Sequence, residues 1–86
     1  MKSRATRKFW ALYLRLPPDV RRISLKQYRL WIQNPRHPSV QFKKIDAYWS
    51  ARITDDYRVL GVMEENTVIW FWIGTHDEYE QVLKGR

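Results

Sequence analysis

A titratable imidazole, two arginines and a pair of lysines are the side chains in this sequence best suited to chemistry. His76 follows Gly74-Thr75 at the end of Val68-Ile69-Trp70-Phe71-Trp72-Ile73, an apolar run with no polar alternation. Such a run suits a strand covered on both faces, so the most buried strand delivers an imidazole at its mouth. If Glu65-Asn66 forms a tight turn, an antiparallel hairpin puts Arg58 beside Ile73, a few residues from His76. Arg52 ends the preceding strand nearby, and Lys43 and Lys44 lie on the strand before that. Without a bulge, Arg58 shares a face with Leu60 and Val62, away from Trp70 and Trp72.

Arginine beside histidine, with lysines close by, is what metal-free cleavage of an RNA backbone requires. A base removes the 2′-hydroxyl proton, an acid protonates the leaving 5′-oxygen, and fixed cations stabilise the phosphorane. Imidazole ionises near neutrality and serves either proton transfer. A guanidinium such as that of Arg58 clamps a phosphate with two hydrogen bonds. The same residues have plainer uses. A histidine at a strand-to-helix junction also serves as a cap, and Arg52 and Arg58 can pair with Asp55, Asp56 or Asp77. Lysines on an edge strand discourage sheet-to-sheet aggregation. Trp70 and Trp72 suit a core, Tyr79 can simply pack a terminal helix, and His37 lies between two prolines.

Other chemistries lack their residues. The three glycines, Gly61, Gly74 and Gly85, are too far apart for a phosphate loop, and no serine sits in a nucleophile elbow. Two histidines and no cysteine make a dedicated zinc site an unsuitable reading, and no cofactor is expected. The absence of cysteine is compatible with a reducing cytosol. The basic N-terminal segment is interrupted by Arg15 and does not read as a signal peptide, and the run Val68 to Ile73 is too short to span a membrane.

At 86 residues the chain is expected to form one small domain over 1–86, with five tryptophans adding to its core. Its net charge is +7, unevenly spread: residues 1–45 hold twelve Lys/Arg and one acid, residues 46–86 four Lys/Arg and eight acids. A basic half of this strength points to a polyanionic partner, nucleic acid or an acidic protein segment.

The elements that must position these residues read as follows. Ser3 to about Leu16 is a helix with an apolar stripe of Ala5, Phe9, Leu12, Tyr13 and Leu16. Pro17-Pro18 ends it and opens a second helix to Gln33, with Gln27 interrupting its stripe and Arg22, Lys26 and Arg29 forming a basic ridge. After the break at Asn34 to Ser39, strands are expected at Gln41–Ile45, Ala47–Ile53, Tyr57–Met63 and from Thr67, then a short helix from Asp77 to Lys84. This predicts an α+β fold: an N-terminal helical hairpin on one face of a four-stranded antiparallel sheet, with a short C-terminal helix.

Three segments, NPRHPSVQFKKI, YWSARITDDYRVL and IGTHDEYE, together with the element order, resemble the RelE/ParE superfamily of bacterial type II toxins. The resemblance covers nearly the whole chain, and its more specific parts are the strand–turn–YR–strand block and the terminal IG-x-H-D-x-Y. It implies a small cytoplasmic toxin neutralised by a cognate antitoxin that wraps it with an acidic segment. The RelE branch cleaves mRNA on the ribosome, and the ParE branch inhibits DNA gyrase without cleaving RNA. A gyrase-directed toxin and an inactive member that binds only its antitoxin are therefore alternative readings. By position, Arg58 matches an arginine used in RelE-like cleavage, and His76 matches the catalytic histidine of YafQ-like relatives with the same GTH segment. Lys43 and Lys44 fall where RelE-type toxins contact phosphate, Arg52 lies close to them, and Tyr79 corresponds to a C-terminal catalytic tyrosine. Where RelE carries a second basic residue at the end of its last strand, this chain has His76. The favoured expectation is the RelE/YafQ-like branch: a metal-independent mRNA endonuclease.

Overall fold

The computed structural model describes residues 1–85. In chain order the elements are β1 (Lys2–Ala5), α1 (Arg7–Tyr13), α2 (Pro18–Gln33), β2 (Lys43–Ile45), β3 (Tyr48–Thr54), β4 (Tyr57–Glu64), β5 (Thr67–Thr75) and α3 (His76–Lys84). The strands form one sheet in the order β1-β5-β4-β3-β2. The pairs β2–β3, β3–β4 and β4–β5 are antiparallel, and β1 is parallel to β5.

The α+β class and the three helices agree with expectation, and the sheet has five strands instead of four. The extra one comes from residues read as the start of the first helix. Lys2–Ala5 pairs with Thr67–Trp70, giving the open edge of the apolar strand β5 the hydrogen-bond partners it would otherwise lack. The helix starts only at Thr6, whose hydroxyl accepts the Phe9 N–H at 3.1 Å. It also ends early. The Arg15 and Leu16 N–H groups donate to Leu12 and Tyr13, a tightened last turn ahead of Pro17. Helix α2 has the expected bounds, with Pro18 in its first turn and Asp19 at its positive end. The two helices meet the sheet at different strands, α1 on β5 and α2 on β3.

Gln27 does not merely interrupt the stripe of α2. It is buried, and its amide Nε2 donates to the carbonyls of Ser39 and Arg52, both at 3.0 Å. The Arg52 N–H in turn donates to the Val40 carbonyl at 2.7 Å. A buried polar group thus ties α2, the Ser39-Val40 segment and β3 together at the backbone of Arg52. The expected strand from Gln41 is shorter than predicted, because Gln41 adopts φ 49° and β2 begins only at Lys43.

The hairpin turn is where the sequence places it: Glu65 and Asn66 have φ 47° and 65°, the left-handed pair of a two-residue hairpin loop. From there the register runs evenly to Gly61↔Trp70, then Phe71 is inserted and Leu60 faces Trp72. This bulge overturns the expectation of an even ladder. It sets Arg58 opposite Gly74, with Val59 taking Ile73, and sends Trp70 and Trp72 to opposite faces. Trp70 packs with Phe9, Trp31 and Ile73 beneath the first two helices, while Trp72 packs with Leu60, Tyr79 and Leu83 beneath α3. Gly61 permits the insertion. A Cβ there would lie 2.8 Å from both the Trp70 ring and the Val68 side chain.

Candidate active-site cleft

Strand parity decides which polar residues meet. Lys43 lies opposite Ser50, Ser50 opposite Leu60, and Leu60 opposite Trp72. Two residues along, Arg52 lies opposite Arg58 and Arg58 opposite Gly74. All of these share the face that carries α3. There they border a cleft of about 180 Å³ whose wall includes Lys43, Ser50, Arg52, Arg58, His76, Tyr79 and Glu80. Lys44 is outside it: it pairs with Trp49, on the opposite face from Lys43, and is exposed.

His76 is the first residue of α3. Capping is done by its neighbour Thr75, whose hydroxyl accepts the Glu78 N–H at 3.1 Å, while the Glu78 carboxylate accepts the Thr75 N–H at 2.9 Å. The imidazole is therefore not the cap. The His76 backbone N–H donates to the Asp56 carbonyl at 2.6 Å, which fixes the start of α3 against the β3–β4 turn. The ring lies 5.6 Å from the ring of Tyr79, and Nε2 lies 3.8 Å from Glu80 Oε1.

The two arginines are held differently. Arg58 Nη1 donates to the carbonyls of Thr54, Asp55 and Tyr57 around the turn. Among the described residues its hydrogen bonds all leave from that nitrogen, so the other edge of the guanidinium stays open to a ligand. Arg52 forms an ion pair with Asp55 through Nη2. That hydrogen bond and then the Arg52 charge hold the Asp55 carboxyl below its ordinary range, against an opposing effect of desolvation and with a lesser contribution from Arg58.

Tyr79 is buried, and its hydroxyl donates to the buried Ser50 Oγ at 3.1 Å. This bond locks α3 onto β3 and so positions the helix that begins with His76. His37 is a loop residue whose Nδ1 lies 3.2 Å from the Ser39 backbone N and 3.0 Å from its hydroxyl. Glu80 and Ser50 were not among the candidates from sequence. The signal for Glu80 was its spacing of four from His76 on an expected helix; Ser50 left none, because its role depends on register. Among the described residues no three His, Cys, Asp or Glu side chains group as a metal site requires.

This architecture has relatives among solved structures. RelE in the RelB–RelE antitoxin–toxin complex of Methanococcus jannaschii superposes with a TM-score of 0.67 at 16% identity, over 91% of this chain and 95% of that one. YafQ from Escherichia coli BL21(DE3) gives 0.68 at 12% identity, covering 91% and 96%. The chain has the RelE toxin fold. The YoeB/ParE toxin from Agrobacterium tumefaciens shares it too, with a TM-score of 0.66 at 19% identity over 88% and 99% of the two chains. No protein-family model and no curated protein matches the sequence. Within the RelE fold, the cleft described here is lined by residues of β2, β3, β4 and α3. Among the described residues no helix is long and apolar enough to cross a membrane.

Proposed function

We propose that this protein is the toxin of a type II toxin–antitoxin pair, acting in the cytoplasm as a ribosome-dependent mRNA endonuclease. The observation that carries this reading is the joint placement of Lys43, Arg52, Arg58 and His76 around one cleft on a RelE fold. His76 moves a proton in the transesterification. The open edge of Arg58 binds the non-bridging oxygens of the scissile phosphate, and Arg52 adds a second cation across the ladder. Lys43 lies at the outer end of the cleft and contacts the RNA backbone; Lys44, on the other face, has no place at the reacting phosphate. Tyr79 positions α3 through Ser50. A cognate antitoxin with an acidic segment is the expected partner, because the basic residues of 1–45 and the cleft both attract one; the RelB–RelE assemblies among the structural relatives support this.

The test is primer extension on a reporter mRNA after induction of the protein, comparing wild type with His76→Ala and Arg58→Ala. Cuts in translated frames that disappear in both variants are the expected result. Growth arrest without cuts would instead support the gyrase-directed reading, to be followed by a supercoiling assay.

A further inference from the structure

Transesterification moves two protons, one off the 2′-hydroxyl and one onto the 5′-oxygen, and His76 supplies a carrier for one of them. The second carrier must also reach the cleft. Lys43, Arg52 and Arg58 are taken up by the phosphate and backbone of the RNA in the reading above, and the Tyr79 hydroxyl is buried and donated to Ser50. One carboxylate remains on the cleft wall, that of Glu80. It stands one turn after His76 on α3, its Oε1 3.8 Å from Nε2, with both side chains partly open to solvent at 48% and 42%.

A His–Glu pair four residues apart is also an ordinary surface contact of helices. This one differs in its surroundings. Among the described residues Glu80 is the single acid lining a cleft that also holds Lys43, Arg52 and Arg58, and its ion pair is with His76 and not with any of those three cations.

We infer that Glu80 is the general base and His76 the general acid of RNA cleavage, an inference that rests on the endonuclease reading above. The Glu80 carboxylate offers acceptor oxygens and the imidazole Nε2 facing it can carry a donor N–H, so the base role falls to Glu80. Its oxygen accepts the 2′-hydroxyl proton as the 2′-oxygen attacks phosphorus. The P–O2′ bond forms and the P–O5′ bond breaks. The electron pair of the broken bond stays on the 5′-oxygen, which takes a proton from the imidazolium of His76. The products are a 2′,3′-cyclic phosphate and a 5′-hydroxyl, with no oxidant, reductant or water consumed. Lys43, Arg52 and Arg58 face the pair together with the Tyr79 ring, and the three cations offset repulsion between Glu80 and the phosphate. After turnover the acid and base are close enough to exchange the proton back, directly or through one water.

The experiment uses the full chain on ribosomes programmed with two mRNAs, identical except for sulfur replacing the 5′-oxygen at the scissile linkage. A thiolate leaves without protonation. His76→Ala is expected to lose about 10²–10⁴-fold on the oxygen substrate and to recover on the sulfur one. Glu80→Gln is expected to lose a comparable factor on both, and its rate no longer falls on the acidic side of the pH profile. Glu80→Asp, which keeps the carboxylate, regains part of the rate. Glu80→Gln with the wild-type rate and pH profile would overturn the inference and leave the pair a surface contact. Sulfur rescue of Glu80→Gln but not of His76→Ala would reverse the two roles and so overturn it as well. Wild-type protein that cuts neither mRNA would overturn the endonuclease reading itself, and the inference with it.

Discussion

Arg52 and Arg58 are direct cross-strand partners on β3 and β4, two like charges set face to face at the edge of the cleft. Opposed like charges weaken a sheet. Asp55, in the turn between them, supplies partial compensation through its ion pair with Arg52. A phosphodiester bound as in the proposed function would complete it.

Arg52→Gln should therefore separate stability from binding. It removes the repulsion and the Asp55 pair together, so the midpoint of urea unfolding should move by less than about 0.5 kcal/mol in free-energy terms. RNA affinity should fall, and its dependence on salt should weaken. Arg58→Lys keeps the charge without the planar fork. It should cost about tenfold or more in cleavage, because one ammonium cannot both bind the turn carbonyls and clamp a phosphate.

The capping box couples helix stability to the site. Thr75→Ala leaves the Glu78 N–H without its side-chain acceptor and should cost about 1 kcal/mol, read as a lowered Tm. Activity should fall as well, because the first turn of α3 carries His76. Thr75→Ser, which keeps the hydroxyl, should restore both.

Tyr79→Phe tests whether this residue positions or reacts. The hydroxyl is buried against Ser50, so its loss should cost about 1 kcal/mol in denaturant unfolding. Cleavage should fall by less than about tenfold, since a positioning contact worth about 1 kcal/mol is less than the roughly 1.4 kcal/mol that a tenfold change in rate requires. A much larger loss of rate at unchanged stability would show that the phenol acts on the substrate.

Gly61→Ala introduces a methyl group against the rings and side chains that the bulge brings close. Overpacking of this kind costs about 1–3 kcal/mol, and intrinsic tryptophan fluorescence should report the displacement of Trp70. Because Phe71 and Trp72 follow the same bulge, the variant should also loosen the packing of α3.

Among the described residues, acid stability has one identifiable contributor. The Arg52 bond keeps the Asp55 carboxyl below its unfolded-state value. Its contribution is therefore present above the ordinary carboxylate range, and it is lost as pH falls through the lower folded-state value. Asp55 is exposed, so the effect is small. Asp55→Asn should flatten only the acidic end of a Tm-against-pH curve.

Much of this protein is decided locally and is readable in the chain. Pro17-Pro18 and Asn34 bound α2 because proline cannot continue one helix and readily opens the next. Glu65-Asn66 makes the hairpin turn because those residues accept the left-handed conformation it requires. Gly74-Thr75-His76, at the end of the most apolar strand, puts an imidazole at the start of a helix. Non-local pairing decided the rest. Lys2–Ala5 is a strand because β5 had an open edge, a fact invisible in four residues with no strong preference of their own. Neighbouring lysines always point to opposite faces of a strand, but only the register with Ser50 determined that Lys43 takes the cleft side and Lys44 the other. The bulge at Phe71 and the bond from Tyr79 to Ser50 depend in the same way on strands distant in sequence. Side-chain type announced the chemistry, and strand register chose which of those side chains share a cleft.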